Sequence, residues 1–300
     1  MVTAASQRLE TANGNIDFLD VGSGIPTLYF HGTGAGNDGA LLLEQSLIDS
    51  NCRLIIPNRP GYYGTTLGPA GSADFCATLA AELLDHLSVK RVAVIGTSGG
   101  GMPAASFARC YPDRTAALIL QCAQSHRWSS SEWLPKGLGP ALYLFHQRIF
   151  SPLLRWQNSR HAKRSYRNPL SCMQAMSGQR FPELRHDPRV LPLIADLTNM
   201  TVQCAARPAG IQNDWAILIG DNGISTDTIG CPTLIIHDEA DPLVPFAHAV
   251  WSQSCIADAR LLRVHAGGHL IWFGEDSTAM HNARMDFIRY AVAMKAPHNT

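Results

Sequence analysis

Residues 92–101 read Val-Ala-Val-Ile-Gly-Thr-Ser-Gly-Gly-Gly, an apolar strand-type run that breaks into glycines and passes at once into helix-compatible sequence, Met102 to Arg109. That order demands a strand turning sharply into a helix. Gly96-Thr97-Ser98-Gly99-Gly100 is a Gly-x-Ser-x-Gly pentapeptide, and so tight a turn holds its central residue in a strained backbone conformation. Flanking glycines let strand and helix pass without Cβ clashes. Ser98 is thereby expected to project its hydroxyl above a sheet edge, which makes it the candidate nucleophile; the plain alternative is a glycine-rich turn with an ordinary serine.

The remaining periodicity supplies the sheet. Residues 7–11 and 16–21 flank Asn13-Gly14, a hairpin dipeptide. Short apolar runs at 27–30, 53–57, 92–95, 116–122, 233–237 and 260–265 suit strands buried on both faces. Helical spacing occupies 41–48, the Phe75, Leu79, Leu83, Leu87 repeat, 246–254 and 280–294. This alternation predicts an α/β fold: a doubly wound, mainly parallel, eight-stranded sheet with right-handed crossovers. Between Gln124 and Cys231 the β pattern stops and the sequence turns helical and rich in Trp and Pro, so an inserted helical cap is expected at 125–229, with residues 1–124 and 230–300 forming the main domain.

Composition narrows the partners. With 300 residues, 46% hydrophobic and 16% charged, the chain can bury a large core. Lys+Arg and Asp+Glu are both 24, which offers no general attraction to nucleic acid or an anionic membrane. Residues 1–10 lack a basic-then-apolar leader, and no apolar run reaches about eighteen residues. A cytoplasmic protein, monomer or homodimer, acting on a small molecule is expected. The eight cysteines form no Cys-x-x-Cys pair and the histidines outside the site no His-Glu-x-x-His, so neither metal nor disulfide framework is expected.

A serine hydroxyl needs a general base, and the base needs a group that fixes its tautomer. The run at 260–265 is followed by Ala266-Gly267-Gly268-His269, and the run at 233–237 by Asp238-Glu239-Ala240-Asp241-Pro242. Both loops lie beyond strand carboxyl ends, where functional groups of open parallel sheets gather.

In these motifs the chain resembles α/β-hydrolase-fold proteins of the esterase, lipase and C–C hydrolase type. The elbow matches at Gly96–Gly100, an Asp-x-x-Val-Pro acid motif at Asp241-Pro242-Leu243-Val244-Pro245, and a late Gly-His at Gly268-His269. The resemblance implies Ser98 as nucleophile, His269 as general base and acid, and Asp241 as the orienting carboxylate. Asp238 and Glu239, lacking the Val-Pro continuation, read as solvated loop acids. The alternative acid position of some members falls on Gln121-Cys122-Ala123, where no carboxylate stands. Backbone amides of Gly99 and of the His31-Gly32-Thr33-Gly34 loop, Thr33 first and Gly34 second, are the implied oxyanion donors. Where the resembled pattern has Asp-Arg-Pro-Gly-Tyr-Gly, this chain has Asn58 and an added tyrosine, Tyr62-Tyr63.

Gly34-Ala35-Gly36-Asn37-Asp38-Gly39 also fits a dinucleotide fingerprint, with Arg59 near enough to meet a 2′-phosphate, but that reading leaves Ser98, Asp241 and His269 unexplained and no cofactor is expected. Trp128, Trp133, Leu138 and Tyr143, with His31 and Val244, are candidates to line an apolar cleft under the cap, although His31 reads first as shaping its own loop rather than transferring protons. Arg148, Arg155, Arg160, Lys163, Arg164 and Arg167 either meet a substrate carboxylate or form a solvated face. The sequence reading is a serine hydrolase of carboxylic esters. Its rivals are a C–C hydrolase of acidic diketones and a ligand receptor or scaffold without turnover.

Overall fold

Gly14, at φ +129°, closes the turn that pairs β1 (Gln7–Thr11) with β2 (Gly14–Gly22) in antiparallel register, Gln7 facing Phe18 and Thr11 facing Gly14. The computed structural model describes residues 4–69, 71–128, 168–205, 209–219, 226 and 228–294. From that hairpin the chain builds an eight-stranded sheet in the order β1-β2-β4-β3-β5-β6-β7-β8. β2 meets β4 (Cys52–Pro57) antiparallel; β3 (Ile25–Phe30), β5 (Val92–Thr97), β6 (Thr115–Gln121), β7 (Thr233–His237) and β8 (Ala259–Arg263) all run parallel to their neighbours.

Side chains of a strand alternate between faces, and here the alternation separates two cores. Phe18, Leu28, Phe30, Val94, Leu118 and Leu120 pack with α3 (Ala73–His86), α4 (Gly101–Cys110) and α9 (Ala247–Cys255). Leu19, Tyr29, Ala93, Ile95, Ala117 and Ile119 face the other way, toward α1 (Gly36–Leu43), α2 (Gln45–Asp49) and α10 (Ser277–Ala293). Each fully buried Leu or Ile contributes roughly 2 kcal/mol. β5 and β6 are buried at every position, the signature of a sheet covered on both sides.

The helix expected at 41–48 is two helices, broken at Glu44, whose side chain turns inward to accept from Tyr29 Oη, Gln121 Nε2, Trp272 Nε1 and Arg284 NH1 at 2.9–3.1 Å. The strand expected at 260–265 stops at Arg263, because the His265 and Ala266 N–H groups leave the ladder for Asp276 and Asp238.

Between β6 and β7 the described residues are helical: α5 (Pro169–Ser177), α6 (Phe181–Leu184), α7 (Val190–Ala205) and α8 (Ala209–Ile219). They own a third core of Met173, Leu184, Val190, Ile194 and Leu197, joined by Leu270 and Phe273 from the loop after β8. The insertion therefore rests on the sheet edge where the parallel strands end. Among the described residues no helix is long and apolar enough to cross a membrane.

Candidate active site

At the end of β5 the backbone of Ser98 is left-handed, φ +52°, and the half-buried side chain stands between β5 and α4. Gly96 permits this crossing: a Cβ there would stand 2.5 Å from Ala104 Cβ and 2.6 Å from Gly100 O. The Ser98 carbonyl accepts from Gln124 N at 3.0 Å, tying the elbow to the segment after β6.

The loops after β7 and β8 meet through Asp241 and His269. His269 Nδ1 donates to Asp241 Oδ2 at 2.8 Å, with both side chains almost wholly buried. Asp241 Oδ1 accepts the Leu243 and Val244 N–H groups at 2.7 and 3.0 Å, and His237 Nε2 lies 3.4 Å from Oδ2. Burial opposes ionisation of Asp241, but the His269 charge and the His237 and His269 hydrogen bonds outweigh it and hold the carboxyl well below its ordinary range. Burial likewise pulls His269 down, whereas the Asp241 charge lifts it well above the usual histidine value. The arrangement fixes the tautomer and leaves Nε2 as the basic nitrogen. Ser98 Oγ makes no hydrogen bond to His269 in this arrangement. The Cys122 thiol lies against the Ser98 amide and His269, at the alternative acid position.

Asp238 is no solvated loop acid. Its side chain is fully buried and accepts from Ala266 N at 3.0 Å, Gly268 N at 3.1 Å and the Arg180 guanidinium at 3.2 Å. Those contacts overcome the burial that raises its pKa and leave it lowered. They also hold the segment leading into His269, whose own N–H donates to Met176 O of α5 at 2.9 Å. Glu239 is exposed and pairs with Arg263, as a loop acid should.

On the opposite side of Ser98 lies the loop after β3. Gly99 faces Thr33, for a Cβ on Gly99 would meet the Thr33 hydroxyl and stand 3.3 Å from its amide nitrogen. Gly34 is not a free donor, since its N–H is already bonded to Tyr62 Oη at 2.9 Å. His31, expected at the pocket, is enclosed instead: Nδ1 donates to Gly32 O, Nε2 accepts from Arg59 N, and its edge meets the Tyr62 ring. Burial, then the Arg59 charge, push its pKa well down, so it stays neutral. Asn58 Oδ1 accepts from Asn37 N at the start of α1, which an amide does without importing a charge.

Arg59 is buried and paired with Asp214 of α8 at 2.5 and 2.7 Å, which leaves no free guanidinium for a 2′-phosphate. Val244, expected at the pocket, is buried and serves the Asp241 turn through its backbone. Trp128 is 5% exposed and packs with Ile217 and Leu218 in the first core, its backbone N–H donating to Leu218 O. Trp133, Leu138 and Tyr143, and the basic positions from Arg148 to Arg167, lie outside the described residues. Among the described residues, Cys122, Asp241 and His269 alone form a group of three possible metal ligands, within 4.8 Å of one another; two of them are already joined by a hydrogen bond.

Sequence reasoning missed Asp214 and Arg180, which lie outside the recognisable motifs, and misread Asp238 as a solvated loop acid. The one available signal for Asp214 was an acid beside the apolar run Trp215-Ala216-Ile217-Leu218-Ile219.

The fold agrees with comparisons to known proteins. An "Uncharacterized hydrolase YcgS" of Bacillus subtilis is 28% identical over 94% of this chain and 99% of its own length. A pimeloyl-[acyl-carrier protein] methyl ester esterase of Aromatoleum aromaticum is 28% identical over 80% of this chain and 88% of its length. The solved alpha/beta hydrolase fold protein from Nakamurella multipartita superposes with a TM-score of 0.76 at 27% identity, covering 95% of this chain and 99% of that one. The family described as alpha/beta hydrolase fold matches residues 24–276. With that match over most of its length, the chain belongs to the alpha/beta hydrolase fold family.

Proposed function

We propose that this hydrolase cleaves carboxylic esters of small to medium apolar acyl groups, with Ser98 as nucleophile, His269 as base and Asp241 as the orienting acid. The observation that supports this most is the buried His269–Asp241 pair at the same sheet edge as a serine held at φ +52°. Ser98 Oγ attacks the ester carbonyl while His269 Nε2 takes its proton. The oxyanion is met by the Gly99 and Thr33 amides, and collapse expels the alcohol, which receives the proton from His269. Water then attacks the acyl-enzyme, again deprotonated by His269, and Ser98 is regenerated with release of the acid. The Ser98–His269 hydrogen bond, not made in this structure, forms as substrate binds, for catalytic hydrogen bonds are often completed only in the substrate complex. The cap supplies the apolar wall, and the chemistry calls for no metal or cofactor.

The test is hydrolysis of p-nitrophenyl esters from acetate to decanoate by wild type and Ser98→Ala. Turnover confined to wild type, with a chain-length optimum, supports the reading. Absence of ester turnover with cleavage of an acidic diketone moves the assignment to C–C hydrolysis. Ligand-induced thermal shifts without any turnover move it to a receptor.

A further inference from the structure

Asp214 reaches from the insertion into the main domain and gathers three groups around one carboxylate. Oδ1 accepts from Arg59 NH1 at 2.5 Å; Oδ2 accepts from Arg59 NH2, Tyr62 Oη and Thr33 Oγ1, each at 2.7 Å. Asp214 and Arg59 side chains are only 2% and 1% exposed. Each partner leads to the loops beside Ser98. Thr33 carries one proposed oxyanion amide. Tyr62 Oη, while donating to Asp214, accepts the N–H of Gly34, which fixes the next peptide of that loop. Arg59 NH1 also donates to Gly99 O at 3.3 Å, on the other side of the proposed hole. Neighbouring Asn213 Oδ1 accepts from Gly71 N at 2.8 Å, and Gly210 lies against the Tyr62 ring, so α8 is seated here at more than one point.

We infer that Asp214 is a positioning residue: from the insertion it sets the Thr33–Gly34 peptides, so that the seating of α8 and the shape of the oxyanion hole are one event. Neutralising Arg59 alone would need only one partner. A carboxylate whose remaining lone pairs go to Thr33 and Tyr62 also dictates where that loop lies. The inference rests on the ester hydrolase reading for its kinetic consequence, though not for its structural one.

The test compares Asp214→Asn, which keeps the shape, with the charge-free pair Arg59→Met/Asp214→Leu, which keeps a foldable interior if the isolated change does not fold. Removing a buried ion pair as a pair is often tolerated, whereas removing one partner is not. Two readouts are taken. With a p-nitrophenyl ester, kcat is expected to fall about 10–100-fold while KM stays within about threefold, somewhat less than the 10²–10³ seen when a whole oxyanion donor is lost. By hydrogen exchange, the segment 32–35 is expected to exchange at least about tenfold faster in both variants, with β5 unchanged, because the Tyr62 hydroxyl and Thr33 lose their anchor. Unchanged exchange at 32–35 in a folded variant overturns the inference, as does a kcat that follows thermal stability and recovers fully in the double variant. If wild type turns over no ester, the ester reading fails by itself, and the exchange result alone decides the role of Asp214.

Discussion

The Asp238 carboxylate accepts the N–H of Gly268, the residue immediately before His269, at 3.1 Å, and that of Ala266 at 3.0 Å. The shape of the His269 loop is thus written in a second acid, three positions from Asp241. Asp238→Ala leaves two buried amides and Arg180 without their acceptor, and should destabilise the fold by about 3 kcal/mol. Urea unfolding measures this, and kcat should drop well beyond what the same loss of stability produces at a site remote from His269. Arg180→Ala, at a partly exposed guanidinium, should cost about 1 kcal/mol or less.

The opposed shifts of Asp241 and His269 set the pH dependence. As the proposed base, His269 would act only when neutral, so kcat/KM should rise through a single deprotonation whose midpoint lies above the ordinary value of about 6.5. Because that pKa is raised in the folded state, the stability it contributes is full below about 6.5 and is lost as pH rises through the folded value. Asp241, depressed, contributes stability above about 3.9 that disappears as pH falls through its folded pKa. Asp241→Asn should remove both effects and lower kcat by about 10⁴. A pH–rate profile together with chemical denaturation across pH checks each sign.

Gly96→Ala tests the elbow. Its methyl group would meet Ala104 Cβ at 2.5 Å, in α4, and Gly100 O at 2.6 Å, in the turn that leads into that helix. Overpacking of this kind costs about 1–3 kcal/mol. Labelling of Ser98 by an organophosphonate should slow at least tenfold, and wild-type labelling in the variant would show that the close crossing of β5 and α4 is dispensable.

Glu44 sits under the elbow, accepting from Tyr29, Gln121, Trp272 and Arg284, while Thr97, next to Ser98, is 2.6 Å from the Tyr29 hydroxyl. Glu44→Ala strands the buried Arg284 and should cost about 3–5 kcal/mol. Urea unfolding followed by circular dichroism measures the loss. Glu44→Leu with Arg284→Met should recover most of the loss, as a charge-free replacement of the pair.

The strands and the order of the loops were legible in the sequence because they are local: β5 and β6 are uninterrupted apolar runs, Asn13-Gly14 is its own turn, and Gly-x-Ser-x-Gly announces the crossing within five residues. What was illegible depends on distant partners. Arg59 and Asp214 are 155 positions apart, and nothing near either says that the other exists. Asp238 and Glu239 are adjacent and equally acidic, yet one is wholly buried and the other exposed, a difference made by where β8 and α5 happen to lie. His31 could be read from the sequence either as shaping its own loop or as lining the pocket, and only the fold shows that Arg59 N and Gly32 O claim both ring nitrogens.

The insertion touches both halves of the site at depth: Asp214 under the Thr33 loop, Met176 and Arg180 beside the His269 loop. It is therefore a poor candidate for exchange as a module. A chimera that takes its roof from a relative inherits a stranded Arg59 and an unanchored Asp238 unless the matching carboxylate and guanidinium travel with it, so changes of substrate range by grafting must begin from those two junctions.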